Sequence, residues 1–279
     1  MRLYPTAPLL ATSPRISRIL GWLWLPYEYL VLYGGLLLFI MALFAWSAVA
    51  TLIYALVPRG VGARWGRRGA MLMFRSYLAV LKATGLVKLD LGALDALRSE
   101  GALIIAPNHP SLIDAVLIGS RLPRIVCIMK AGIQNNPILG GAARLAAYIR
   151  DDLPLSMIRS ATAALRSGNQ LLMFPEGTRT KPYTRCQFKG GYALIAKTAG
   201  VPVQTVIIET NSMFLGKGWP LLKKPAFPVI FTARLGRRFD VNGDVKVTVA
   251  DMERYHCDML AAAGSVRADS RKLDAQAAA

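Results

Sequence analysis

The sequence predicts an α/β fold, a central mostly parallel or mixed sheet flanked by helices, preceded by an N-terminal membrane-anchoring helix or helical hairpin. Three observations predict it. Apolar or alternating runs of strand length recur at residues 87–91, 103–106, 125–129, 171–174, 203–208, 229–233 and 245–249. Helix-length stretches at 112–121, 138–148, 156–166 and 191–199 lie between several of them, the alternation that produces sheets covered by helices. Residues 27–57 hold one charged side chain, Glu28, over a length beyond the roughly 20 residues that cross a bilayer core.

Taken in order, the N-terminal stretch reads as a retained anchor. Trp22, Trp24, Tyr27, Tyr29, Trp46 and Tyr54 suit a membrane interface, and Gly34-Gly35 is a candidate bend into two shorter helices. A single tilted span and a re-entrant pair both satisfy the pattern. Ala48-Val49-Ala50 resembles a signal-peptidase site, but the apolar region begins late and runs past it through Val57, which fits an anchor better. Arg59, Arg64, Arg67, Arg68 and Arg75 follow the span, against Arg2, Arg15 and Arg18 before it, so the positive-inside rule places the downstream domain in the cytoplasm. Residues 69–85 read as an amphipathic or buried helix lying against membrane or domain. The division expected is an anchor region at 1–68, an α/β domain at 69–261 and an Ala-rich tail at 262–279, a fraying helix or disorder.

With 279 residues and 54% hydrophobic composition the chain holds one domain with a sizeable core plus a membrane element. Thirty-four Lys and Arg against 16 Asp and Glu give +18, a charge that calls for an anionic partner. The basic residues are scattered, with no zinc-finger spacing, no RNP-like aromatic motif and no base-reading helix, so nucleic acid is not expected and anionic lipid headgroups are. Cys127, Cys186 and Cys257 are odd in number and widely spaced, which indicates neither a disulfide framework nor a zinc site. His256 lacks a metal-ligand companion at helical spacing and reads as structural; no metal site is expected.

The chemistry-bearing residues sit at two strand ends. In Asn108-His109-Pro110-Ser111-Leu112-Ile113-Asp114, Pro110 keeps His109 out of the helical region and Ser111/Asp114 has capping-box spacing. The picture is strand, turn, helix. A carboxylate in the first helical turn then faces the imidazole, fixes one tautomer, and leaves the other nitrogen to take a proton from a hydroxyl. The cap alone would explain Ser111 and Asp114. In the second segment, the apolar run 171–174 enters Pro175-Glu176-Gly177-Thr178-Arg179, a strand end with a carboxylate, a glycine and an arginine suited to phosphate. A surface turn with an ion pair is the plain alternative.

Residues 108–114 match an N-H-x-S-x-x-D signature and residues 174–179 an F-P-E-G-T-R signature, in that order, and Phe188-Lys189-Gly190-Gly191 is similar to the F-K-x-G segment that follows. On these motifs the chain resembles the glycerolipid acyltransferase family, which includes 1-acylglycerol-3-phosphate acyltransferase. The resemblance covers about residues 85–210. It implies a membrane-bound enzyme that moves an acyl group from an acyl-CoA or acyl-carrier-protein thioester, a co-substrate, to a hydroxyl of a lysophospholipid-like acceptor, with no other cofactor. It implies His109 as general base, Asp114 orienting it, and Glu176, Gly177, Thr178, Arg179 and Lys189 contacting the acceptor. The domain is then expected on the cytoplasmic face of the inner or plasma membrane. No G-x-S-x-G elbow is present, so direct transfer is expected rather than an acyl-enzyme, with Ser111 a cap.

Two segments depart from the family pattern. Where F-I-x-R is common, this chain has Tyr148-Ile149-Arg150-Asp151, with the charge reversed at the last position; where V-P-V-x-P-V is usual, Thr205 replaces the second proline. The first departure points to an acceptor other than free lysophosphatidate, with that substrate the close alternative. Outside enzymes, a membrane-anchored lipid-binding or scaffold protein retaining the fold is the competing reading.

Overall fold

The computed structural model describes residues 14–136, 140–179, 187–220 and 223–277, with side chains described between 24 and 262. Cys186 lies outside the described residues. Helix α1 (Pro14–Leu56) is continuous for 43 residues and passes through Gly34-Gly35 without a break, so of the two alternatives the single helix is the one formed there. Gly35 serves close packing instead: a Cβ on it would lie 3.0 Å from Leu81 Cδ2. Pro58 precedes α2 (Arg59–Ala83), which packs along α1 with Phe39 against Phe74 and Tyr77 at ring-centroid distances of 6.5 and 4.7 Å. The boundary expected at 68/69 falls inside this helix.

Seven strands form one sheet in the order β1-β7-β6-β2-β5-β3-β4. They are β1 (Val87–Asp90), β2 (Ile104–Pro107), β3 (Ile125–Met129), β4 (Ile149–Arg150), β5 (Gln170–Leu172), β6 (Val203–Thr210) and β7 (Val229–Phe239). All neighbours pair in parallel except β6 and β7, so the sheet is mixed. Central β2 is buried along its whole length, as strands covered on both faces are. Its side chains alternate between two cores. Ile105 joins Leu78, Leu81, Leu117 and Phe231 on the face covered by α1, α2 and α3 (Asp114–Gly119). Ile104 and Ala106 join Leu165, Tyr192 and Met252 on the face covered by α6 (Pro154–Arg166), α7 (Gly191–Ala199) and α8 (Val245–Ala277).

One expected strand is a helix. Residues 245–249, Val-Lys-Val-Thr-Val, alternate like a strand but open α8. The helical period wins because Val245, Val249 and Met252 follow at i, i+4 and i+7 and pack into the second core. Asp244 caps the start, its Oδ1 accepting from Lys246 N–H at 2.8 Å. The stretch after residue 261 continues α8 to Ala277.

Helices α1 and α2 are built into the domain through α5 (Gly140–Leu145). A Cβ on Gly141 would sit 2.0 Å from Thr51 Oγ1, and one on Gly66 would sit 2.6 Å from Ala146 N. Glycine is what allows both approaches. Arg67, read from the sequence as one of the charges flanking the span, is buried and donates from Nη1 to Ala146 O at 3.1 Å. Glu28 pairs with Lys224, so the lone charge of the apolar stretch also faces the domain.

Candidate active site

The site grows from the carboxyl end of β2. Asn108 clamps this end to β6: its Nδ2 donates to Ile208 O at 2.9 Å and its Oδ1 accepts from Ile208 N–H at 2.7 Å. His109 follows on the turn, and α3 begins at Asp114. The His109 Nδ1 and Asp114 Oδ2 are 2.9 Å apart. Ser111 N–H donates to the same oxygen at 2.7 Å, which is one half of the expected capping box. The other half is absent. The Ser111 hydroxyl accepts from Ile113 N–H at 3.5 Å instead and donates to Phe214 O at 2.8 Å, so it both caps the turn and holds a distant segment.

Asp114 is fully buried, and its Oδ1 has no hydrogen-bond partner among the described residues. Burial pushes its carboxyl above the ordinary range, against the hydrogen bonds from His109 and Ser111 N–H that favour the charged form. The imidazole lies over Phe174, centroids 3.9 Å apart and planes 20° from parallel. Stacking and the Asp114 bond together fix the ring, and the Nδ1–H tautomer directs proton chemistry to Nε2.

Phe174 belongs to the second segment, which leaves β5 beside β2. Glu176 Oε1 accepts from His109 N–H at 3.4 Å. Gly177 has φ +63°, and a Cβ there would lie 2.9 Å from Lys189 Cδ and Cε. The positive φ favours glycine, and the missing Cβ leaves room for the lysine stem. Lys189 N–H donates to Pro175 O at 2.8 Å, and its side chain lies over Gly177. Thr178 is exposed. Arg179 Nη1 donates to Leu215 O and Gly216 O at 3.0 and 2.8 Å. The fold thus brings His109, Asp114, Glu176, Gly177, Thr178, Arg179 and Lys189 to one end of the sheet.

The segment 213–217 is a third wall that sequence reasoning missed. Besides the Ser111 and Arg179 bonds, Leu112 N–H donates to Leu215 O at 3.1 Å, and a Cβ on Gly216 would meet Pro110 O at 3.2 Å. Leu215 takes φ +56°, a conformation costly for a branched residue. The available signal was two glycines around Lys217.

Asp151 does not extend this site. Its Oδ1 accepts from Ala131 N–H at 3.2 Å, at the start of α4 (Ala131–Gln134). Arg150 pairs with Asp152 and donates to Asn135 Oδ1 at 3.3 Å. His256 lies in the second core, fully buried, with Nδ1 donating to Met252 O at 3.3 Å and its ring edge-on to Phe188. Burial pushes its pKa down to about 4. Among the described residues no group of three or more His, Cys, Asp or Glu could hold a metal ion.

Residues 88–209 match a family model described as Acyltransferase. The 1-acyl-sn-glycerol-3-phosphate acyltransferase of Limnanthes douglasii is 32% identical over 122 residues, 41% of this chain and 43% of that protein. The lyso-ornithine lipid O-acyltransferase of Pseudomonas aeruginosa is 35% identical over 106 residues, 37% of this chain and 41% of that protein. In both cases the match spans less than half of the relative's length. The crystal structure of the 1-acyl-sn-glycerophosphate (LPA) acyltransferase PlsC from Thermotoga maritima superposes with a TM-score of 0.62, covering 83% of this chain and 96% of that one at 18% identity, which shows a shared fold. Both signature segments, 108–114 and 174–179, lie inside the stretch that matches the acyltransferase model, so residues 88–209 are similar to the glycerolipid acyltransferases, which include 1-acylglycerol-3-phosphate acyltransferase.

Proposed function

We propose that this chain is a membrane-bound O-acyltransferase that moves a fatty acyl group from an acyl-CoA or acyl-carrier-protein thioester to a hydroxyl of a lysophospholipid-like acceptor. The observation that carries the reading is the 2.9 Å contact between His109 Nδ1 and Asp114 Oδ2. A hydroxyl is a poor nucleophile at neutral pH, so it needs a positioned base, whereas a thiolate leaves with little help. In the proposed step His109 Nε2 takes the acceptor proton as the acceptor oxygen bonds to the thioester carbon. The C–S bond then breaks, and the imidazolium returns its proton to the departing thiolate. Asp114 stabilises the imidazolium without being consumed. A scaffold protein has no use for a carboxylate buried against its own solvation preference beside an imidazole, which argues against that alternative.

The acceptor reading rests on the cations. Asp151 supplies a negative charge and caps a helix, Arg150 is engaged with Asp152 and Asn135, and Arg179 Nη1 is engaged by two carbonyls. The cations left beside the turn are the lysines Lys189 and Lys217, which offer a dianionic phosphate monoester no bidentate fork, and this favours a hydroxyl lipid other than free lysophosphatidate. The lyso-ornithine lipid enzyme among the relatives is compatible with that choice. Membrane attachment is supported by Trp24–Leu56, 33 residues long and apolar enough to cross a bilayer. Its length of about 50 Å exceeds a hydrocarbon core of about 30 Å, and one side of it is packed on α2 and α5. Helix and domain therefore meet the bilayer as one body, with the domain on the cytoplasmic face.

The test is transfer by the purified full chain from labelled acyl-CoA and acyl-carrier protein to lysophosphatidate, lyso-ornithine lipid and monoacylglycerol. Formation of a diacyl product from any of the three is expected, with lysophosphatidate not strongly preferred. Binding of lipid without product would support the scaffold reading instead.

A further inference from the structure

The turn at 176–179 and the loop at 213–217 are joined at two points. Arg179 Nη1 donates to Leu215 O at 3.0 Å and Gly216 O at 2.8 Å, and Lys217 Nζ lies 3.5 Å from Thr178 Oγ1. The same loop is bound to the histidine turn through Phe214 O, which accepts from the Ser111 hydroxyl, and Leu215 O, which accepts from Leu112 N–H. Three segments therefore close a ring around the base. Within that ring the two cations have different occupations. A guanidinium N–H aimed at two backbone carbonyls holds chain to chain. An exposed ammonium on a flexible stem, standing beside a threonine hydroxyl, is a point charge able to follow an oxyanion.

From this geometry we infer that Lys217 is the specificity-determining cation for an anionic acceptor headgroup, a phosphate or a carboxylate, and that Arg179 is a positioning residue that braces the 213–217 loop. Both assignments rest on the acyl-transfer reading above. Lys217 and Lys189 flank the turn at Thr178 and Gly177, so a headgroup bound over the turn meets two ammonium groups. Two lysines offer charge without the bidentate fork of arginine, which suits a singly charged oxyanion as well as a phosphate monoester.

The test uses the full chain in neutral mixed micelles with three acceptors of different headgroup: lysophosphatidate, lyso-ornithine lipid and uncharged monoacylglycerol. Lys217→Ala is expected to lower the ratio of kcat/KM for charged over uncharged acceptor about tenfold, through KM, and Lys217→Arg to restore it. The acceptor whose ratio collapses identifies phosphate or carboxylate as the group recognised. Arg179→Ala and Arg179→Lys are both expected to lower kcat on all acceptors alike, with the ratio unmoved, because the fork and not the charge holds the loop. An unchanged ratio in folded Lys217→Ala, an equal shift of the ratio in Arg179→Ala, or native action on the uncharged lipid alone overturns the inference while leaving acyl transfer in place. A native protein inactive on all three acceptors removes the acyl-transfer reading itself, and the inference with it.

Discussion

His109 Nδ1 and Asp114 Oδ2 meet at 2.9 Å although they stand five positions apart, a spacing that would point two side chains apart on one helix. They meet because Pro110 keeps His109 before the helix and α3 starts at Asp114. The carboxylate is held there at an energetic cost, since burial opposes its charge. Function and stability are therefore in conflict at Asp114, and the conflict can be measured.

Asp114→Asn should lose transfer by a hundredfold or more, because the amide no longer stabilises the Nδ1–H tautomer or the imidazolium. Its stability should move the other way. A carboxyl whose folded pKa is raised contributes stability below its unfolded value, near 3.8, that is lost as pH rises through the folded value. Removing the charge should leave the melting temperature equal or higher at pH 7, with the advantage over native shrinking toward pH 4. Thermal melts of both proteins across that range check this, and a large loss of stability at pH 7 would contradict it.

His256 should make the protein acid-sensitive. Its folded pKa, pushed down to about 4 by burial, lies below the ordinary value near 6.5. The neutral ring's contribution is therefore complete above about pH 6.5 and falls away as pH drops toward 4, on the order of 3 kcal/mol in all. His256→Gln should flatten the dependence of stability on pH in that window, which denaturant titrations at several pH values would show.

Gly66→Ala should destabilise the junction of α2 and α5. The new Cβ would lie 2.6 Å from Ala146 N, a backbone atom that cannot swing aside. A loss of about 1–3 kcal/mol is expected for overpacking, larger than the helix-propensity gain of about 1 kcal/mol. Gly60, with open space around it, is the control: Gly60→Ala should be neutral or stabilising in the same melts.

Membrane attachment should survive high salt. Burial of the apolar face of α1 is not screened, whereas the attraction of the +18 chain to anionic lipid is. Sedimentation with membranes in 1 M salt (a Debye length of about 3 Å), and release by detergent alone, are the expected results; complete release by salt would assign attachment to surface charge.

Much of the architecture was legible in the sequence because apolar runs bounded by glycine and proline are strands and helices for the same reason, the need to bury a face. Six of the seven runs read as strands are strands in the sheet. The seventh, 245–249, satisfies both periods over five residues, and only Met252 and His256 further on, both buried, decide for the helix. Strand β4, two residues long, is too short to leave a period. At the site, His109, Asp114 and the 174–179 turn could be named because their side chains carry the chemistry. The 213–217 loop could not, since Phe214, Leu215 and Gly216 contribute backbone carbonyls that any residue possesses. The reversed charge at Asp151 was visible, but its use as a cap for α4 depends on where Ala131 N–H falls in space.

The most direct measurement is steady-state acyl transfer by native protein and His109→Ala, each with its thermal melt. General-base catalysis contributes about 10²–10⁴-fold, so the variant should fall at least a hundredfold in kcat while still giving a cooperative melt, lowered by the lost stacking on Phe174 and by the partner that buried Asp114 loses. Turnover near the native rate in a folded His109→Ala protein would remove His109 from the reaction and contradict the account.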